Sequence, residues 1–461
     1  MTLSAADLSI ILLFFLSLLF IGFYSGRKTG NEADEYLLSG RKVGLFLFIL
    51  TNVSTWYGGI LGVGEFTYRY GIVSWFTQGF PYYIFAFLFA IFFARKIHKA
   101  SLFTIPDKLN DVYGEKVGLL SAVVVFVLVS PAPYLLMSAG LLSLLLDINI
   151  VLSLFISLFV SIAYLVKGGF KSNVYADALQ FFTMFIGFII IVIISVGSVG
   201  TVEFLSSALP ENHLSISGGM SPTFIIVWFL IALWTFADPG FHQRCYAAKS
   251  GNVAVKGIII SIFFWALFDF LTTATGLFSK AVLPELLNPV LSFPLYADKI
   301  LPSGLKGIFY AALFATILST LNSFLFLSGT TIGRDFIFRL SKRTDTNLLK
   351  KFTIYGLLIS GLLAILLAYL IPSVIEIWYT IGSLFIPAII LPVISAYYPK
   401  IRIDKKYILT EMIAAISLST IGYFVRIEFA SVPNLSEVEP MLAGLAIALI
   451  IHLFGLISGK K

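Results

Sequence analysis

Long apolar runs follow one another along this chain, separated by short polar gaps. They predict helices near residues 8–24, 43–66, 73–94, 117–146, 149–166, 174–200, 222–243, 254–279, 308–332, 352–371, 373–397, 407–425 and 438–457. A helix rises about 1.5 Å per residue, so roughly 17–25 apolar residues cross a ~30 Å hydrocarbon core. The pattern therefore predicts an all-α polytopic membrane protein of about thirteen transmembrane helices. Two of these runs carry backbone breakers. The second contains Gly58, Gly59, Gly62 and Gly64, and the seventh contains Asp238-Pro239-Gly240. Proline removes a backbone donor and glycine favours a break. Unwound backbone at membrane depth is tolerated where it lines a cavity or is buried in protein.

Each broken run opens a group of five, and five is odd, so the two groups enter the membrane from opposite sides. Interrupted helices at matching places in two inverted halves point to a transporter with its site at the repeat interface. The predicted division is an extra N-terminal helix and loop (1–42), a first half (43–200), an inverted second half (201–398) and two further helices (399–461). The halves share no visible sequence similarity. Glycines that only let helices pack closely are the plainer alternative.

Composition sharpens this picture. The chain has 461 residues, 59% of them hydrophobic and 12% charged, with a mean hydropathy of +0.97. Soluble domains carry about 25% charged residues. Of 31 basic residues, all but Arg69, Lys280, Lys299, Lys306 and Arg426 fall in alternate loops or at the C-terminus. By the positive-inside rule this places the N-terminus outside and the C-terminus in the cytoplasm of a cell carrying the protein in its plasma membrane. The net charge of +7 thus reflects topology and calls for no nucleic-acid partner. Cys245 is the only cysteine, so no intrachain disulfide forms. The first run lacks a basic leader and a small-residue cleavage site, and reads as a retained helix. Nothing in the chain calls for an obligate protein partner beyond the lipid bilayer.

The ninth run carries candidate chemistry. Thr316, Ser319, Thr320 and Ser323 stand at i, i+3, i+4 and i+7, on one helix face, with Asn322 beside them. Oxygen ligands suit a hard cation. Such hydroxyls otherwise bond back to the preceding turn. Intramembrane acids are costly and tend to be functional; the candidates are Glu65, Asp177, Asp238, Asp269 and Glu376. Asp177 is expected near a helix N-terminus, which favours a carboxylate.

Three stretches carry a family resemblance. Tyr164-Leu-Val-Lys-Gly-Gly with Asp177-Ala-Leu-Gln180, Gln243-Arg244 with Ala247-Ala248-Lys249, and Ala315-Thr-Ile-Leu-Ser-Thr-Leu-Asn-Ser resemble motifs of the sodium/solute symporter family, in order and spacing. The resemblance implies the LeuT-type inverted repeat of five plus five helices and cation-coupled uptake of a small polar organic solute. It implies a sodium (Na+) site of the Leu50, Val53 and Thr316 carbonyls with the Ser319 and Thr320 hydroxyls. A second sodium site would fall on Asp177, Asn322 and Ser323, where asparagine replaces a usual serine. Substrate contacts would come from Asn52, Trp56, Tyr57, Trp234 and Asp238. The galactose and proline patterns of the family are not kept.

Proton coupling on the same fold remains the nearest alternative. A channel would want a continuous polar pore or charged rings, whereas polar groups here gather at two breaks and one stripe. An enzyme is not expected, because the four histidines show no metal-ligand spacing.

Overall fold

The computed structural model describes all residues except 1–2, 29, 31, 342–344, 346–347, 372, 430–438 and 459–461. Lys342, Arg343, Lys460 and Lys461, which entered the charge argument, and the first residue of the last expected run lie outside the described set. The described chain is helical, and its single β-bridge joins Val43 to Ala248.

The helices are α1 (Ala5–Ser25), α2 (Leu45–Ser54), α3 (Ile60–Tyr70), α4 (Val73–Ala100), α5 (Glu115–Leu146), α6 (Ile150–Ser198), α7 (Pro222–Ile231), α8 (Pro239–Ala247), α9 (Gly251–Val282), α10 (Leu305–Thr330), α11 (Leu348–Leu370), α12 (Val374–Tyr397), α13 (Lys405–Glu428) and α14 (Pro440–Ser458). Side-chain oxygens cap several of them. Ser4, Asn149, Ser221, Ser250 and Asp404 each accept a backbone N–H of the following turn.

Both expected breaks are present. α2 and α3 are separated by a turn of 3-10 helix at Thr55–Tyr57 and bent by 55°. α7 passes into the 3-10 stretch Ala232–Phe236 before α8 restarts at Pro239. Proline at the first helical position costs nothing, because its missing N–H would be unsatisfied there in any case.

The helix count differs from the expected thirteen. Among the described residues, 11 helices are long and apolar enough to cross a membrane, or up to 12 if the bent pair is one span. The difference lies in α6, where the expected runs 149–166 and 174–200 form one element of 49 residues. Lys167 and Lys171 marked a loop in the sequence; in the structure they flank a kink between two helical stretches of this element. Only Gly169 leaves helical geometry, at φ 54 and ψ −140. A side chain there would be strained by that φ and would meet the Tyr36 carbonyl at 2.3 Å.

α10 sits at the centre, buried along nearly its whole length, whereas α1 is largely exposed on its outer face. The hydroxyl stripe therefore faces protein, not lipid. On the far side of both breaks from the cavity described below, the chain is tied shut. Val43 N–H donates to the Ala247 carbonyl (3.1 Å) and Lys249 N–H to the Val43 carbonyl (2.9 Å). The end of α10 is pinned to the short helix Ile105–Tyr113: Arg334 pairs with Asp107, Arg339 reaches Asp107 at 3.1 Å, and Thr104 donates to Asp335 at 3.0 Å.

Candidate functional site

Asp177 is fully buried where α2, α6, α8 and α10 meet. It stands eight residues past Gly169, beyond the first turn in which a helix terminus stabilises a carboxylate. Side chains hold it instead. Ser319 donates to one carboxylate oxygen at 2.6 Å, and Thr51 to the other at 2.5 Å. Asn173, one turn earlier on α6, lies 3.3 Å away and also donates to Ser323 at 2.7 Å.

The counter-charge comes from Arg244 on α8, which is 3% exposed. One guanidinium nitrogen lies 3.9 Å from Asp177 and within hydrogen-bond reach of Thr55 (2.6 Å), Thr51 (3.1 Å) and Ser323 (3.2 Å). The other donates to the Gly240 carbonyl at 3.1 Å. Threonine hydroxyls thus bridge a buried ion pair. Such a pair needs these extra bonds, because desolvating two charges costs several kcal/mol per ion.

The expected sodium residues lie against this node. Ser54 donates to the Leu50 carbonyl (2.9 Å), and its oxygen lies 3.1 Å from the Ser319 hydroxyl, whose one hydrogen can go to Ser54 or, at the shorter distance, to Asp177. Thr320 donates to the Thr55 carbonyl at 2.6 Å. Ser319 and Thr320 can therefore direct their hydrogens to a carboxylate and a carbonyl. Their lone pairs are then left to accept a cation. Val53 and Thr316 are buried beside them, and the Thr316 hydroxyl is turned back onto the Leu313 carbonyl at 2.7 Å. This leaves its own carbonyl as the group with ligand potential. Of the second expected set, Asp177 and Ser323 meet through Asn173; the Asn322 amide nitrogen donates to the Tyr164 hydroxyl, and its oxygen is buried with no hydrogen-bond partner among the described residues.

A cavity of about 280 Å³ opens beside the two breaks, lined by Trp56, Tyr57, Trp234 and Asp238 among others. Asn52 does not line it; it borders a separate void of about 30 Å³ beneath. Tyr57 spends its hydroxyl on the Trp265 carbonyl at 2.8 Å. Asp238 caps α8, accepting the N–H of Gly240 (2.6 Å) and Phe241 (3.2 Å) through one oxygen. Backbone donors thus hold this carboxylate in place. Replacing such a cap costs about 1 kcal/mol. Asp238→Ala is therefore expected to lower the thermal unfolding midpoint by a few degrees and leave the order of preference among solutes unchanged. A reordered preference at wild-type stability would make it a direct solute contact.

Thr51, Ser54, Thr55, Asn173 and Arg244 complete the node and were not among the expected site residues. Thr51 and Thr55 repeat the i, i+4 spacing of the α10 stripe, and Asn173 stands four residues before Asp177. Those periodicities were the available signal.

Comparison with known proteins gives the family and the fold. The family model described as "Sodium:solute symporter family" matches residues 36–405. The high-affinity choline transporter 1 of Drosophila melanogaster is 27% identical over 398 residues, 80% of this chain and 63% of the fly protein. The sodium/pantothenate symporter of Escherichia coli (strain K12) is 27% identical over 378 residues, 76% of each chain. A Na+-coupled sialic acid symporter, solved in a substrate-bound outward-open state, superposes with a TM-score of 0.81 at 15% identity, covering 99% of this chain and 98% of that one.

Proposed function

The chain belongs to the sodium:solute symporter family, and from that premise we propose that it imports a small polar organic solute together with sodium by alternating access. The observation that carries this reading is the pair of hydroxyls, Ser319 and Thr320, on the helix packed against the break between α2 and α3. With the carbonyls of Leu50, Val53 and Thr316 they offer five neutral oxygens. That set suits a metal cation better than a proton.

We read α6 as two crossings bent at Gly169. At about 1.5 Å per residue its 49 residues span more than twice a ~30 Å core. This restores thirteen crossings, arranged as inverted halves over 43–200 and 201–398, with 1–42 and 399–461 outside the repeat. In that topology, with the N-terminus outside, the cavity faces the exterior. The Val43–Ala248 bridge and the Arg334–Asp107 cluster then close the cytoplasmic side of a plasma-membrane protein. Arg244 already neutralises Asp177, so the set Asp177, Asn322 and Ser323 would take a second sodium only by displacing a guanidinium. One ion per cycle is the reading that follows.

One inward charge contributes about 2.3 kcal/mol per 100 mV, and a tenfold sodium gradient about 1.4 kcal/mol. Together they support accumulation of several hundredfold. The relatives named above carry solutes of opposite charge, so kinship alone leaves the cargo open.

The test is uptake into proteoliposomes. Ser319→Ala and Thr320→Ala are each expected to raise the sodium concentration for half-maximal uptake about tenfold, as loss of one charge-assisted ligand implies. Uptake that follows a pH gradient and ignores sodium would sink the proposal in favour of proton coupling.

A further inference from the structure

We propose that the solute is a small organic cation, a methylated amine or quaternary ammonium, held in the cavity with its charge facing Asp269. This rests on the symporter reading and names its cargo class. Three observations converge on it. Five of the chain's six tryptophans, Trp56, Trp75, Trp228, Trp234 and Trp378, line this one cavity. The aromatic neighbours meet at angles: Trp56 crosses Tyr82 at 71°, and Tyr134 crosses Trp378 at 53°. This is the geometry of a box, not of a parallel stack. Aromatic faces carry negative quadrupole charge and attract cations, ammonium groups with alkyl substituents above all.

The second observation is charge. No lysine or arginine lines the cavity, while Asp238 and Asp269 do. An anionic solute would meet two carboxylates and no counter-ion. Asp238 is engaged as the cap of α8.

The third is Asp269 itself, which the sequence marked as an intramembrane acid without a partner. It lies midway along α9, 9% exposed, and borders the cavity. The Tyr83 hydroxyl donates to one of its oxygens, and the Tyr57 hydroxyl also lies within hydrogen-bond reach. Among the described residues no basic side chain pairs with it. A carboxylate accepts up to about four hydrogen bonds, so two tyrosine hydroxyls leave acceptor capacity on the cavity side and do not neutralise its charge. Unpaired acids at this depth are expensive and are retained where they meet a cation. The volume of about 280 Å³ is just below the usual range for drug-sized ligands, which fits a solute of a few heavy atoms.

The deciding experiment compares two probes of one shape. Choline and 3,3-dimethylbutan-1-ol differ only in a charged nitrogen against a neutral carbon. Binding of each to the purified full-length protein would be measured in sodium by competition against labelled choline, alongside tetramethylammonium, pantothenate and glucose. The expected result is sodium-dependent binding of the cations, with the carbon isostere at least about thirtyfold weaker. Asp269→Asn should weaken choline about tenfold and leave the isostere unchanged, which a merely structural role would not do. Equal binding of choline and its isostere, preference for pantothenate or glucose, or failure of both cations to bind overturns the proposal. The wild-type comparison stands even where Asp269→Asn fails to fold. Sodium-induced thermal stabilisation, lost in Ser319→Ala, reports separately on the symporter reading. Its persistence alongside a failed cation preference would reject the cargo and keep the coupling.

Discussion

Gly58→Ala is expected to cripple sodium dependence at normal amounts of folded protein. A methyl group at this position would stand 2.2 Å from the Thr320 Cβ and 2.3 Å from its hydroxyl oxygen. Real side chains do not approach that closely, so Thr320 must move off the break between α2 and α3 or the break must open. Overpacking of this kind costs about 1–3 kcal/mol. Placed on an ion ligand, that cost corresponds to a rise of roughly ten- to a hundredfold in the sodium needed for half-maximal uptake. Gly59→Ala is the informative neighbour. Its methyl would meet the Trp378 ring at 2.3 Å, on the cavity side. It should impair solute affinity and spare sodium. Sodium curves identical for wild type and Gly58→Ala would remove Thr320 from the ion site.

Removing Arg244 is expected to have the largest effect on stability. Arg244→Met takes away the one cation paired with Asp177 among the described residues, together with bonds to Thr55, Thr51 and Ser323. Breaking a buried pair from one side costs about 3–5 kcal/mol, a large share of the roughly 5–15 kcal/mol that holds a typical domain folded. Little folded protein should be recovered. Adding Asp177→Leu should restore much of the loss, because the stranded charge goes with it, and the double-mutant cycle should show coupling. Arg244→Gln offers a sharper readout. With the guanidinium gone, sodium becomes the available cation for Asp177, and its thermal stabilisation should exceed that of wild type. Equal sodium shifts in the two proteins, or a double variant no better than Arg244→Met, would mean that Arg244 does not serve as the counter-charge.

Much of this architecture was legible because the signals were local. Apolar runs marked the helices, and Gly58-Gly59 and Pro239-Gly240 marked the breaks, since both act through the backbone of their own residue. The hydroxyl stripe on α10 could be read because one helix carries it. What stayed hidden was set by tertiary contact. Lys167 and Lys171 looked like a loop because charge normally ends a span, yet α6 passes through them and turns only at Gly169. Asp177 looked like a helix-terminus residue, but its partners come from segments more than a hundred residues away in sequence for Thr51 and Ser319. Arg244 sat in a recognised motif, but no periodicity told where its guanidinium would reach. Asn322 sends its amide nitrogen to Tyr164, a partner that no spacing along one helix could reveal.

The tie between Val43 and Ala248 has a consequence for how such a machine ages. Its two hydrogen bonds are made by backbone alone. Each contributes about 1 kcal/mol net, so together they bias a two-state balance by roughly thirtyfold. On the alternating-access reading, that is enough to keep one face shut for most of the time and little enough to be broken in every turnover. Because no side chain takes part, most mutations at these two positions leave the fastening in place.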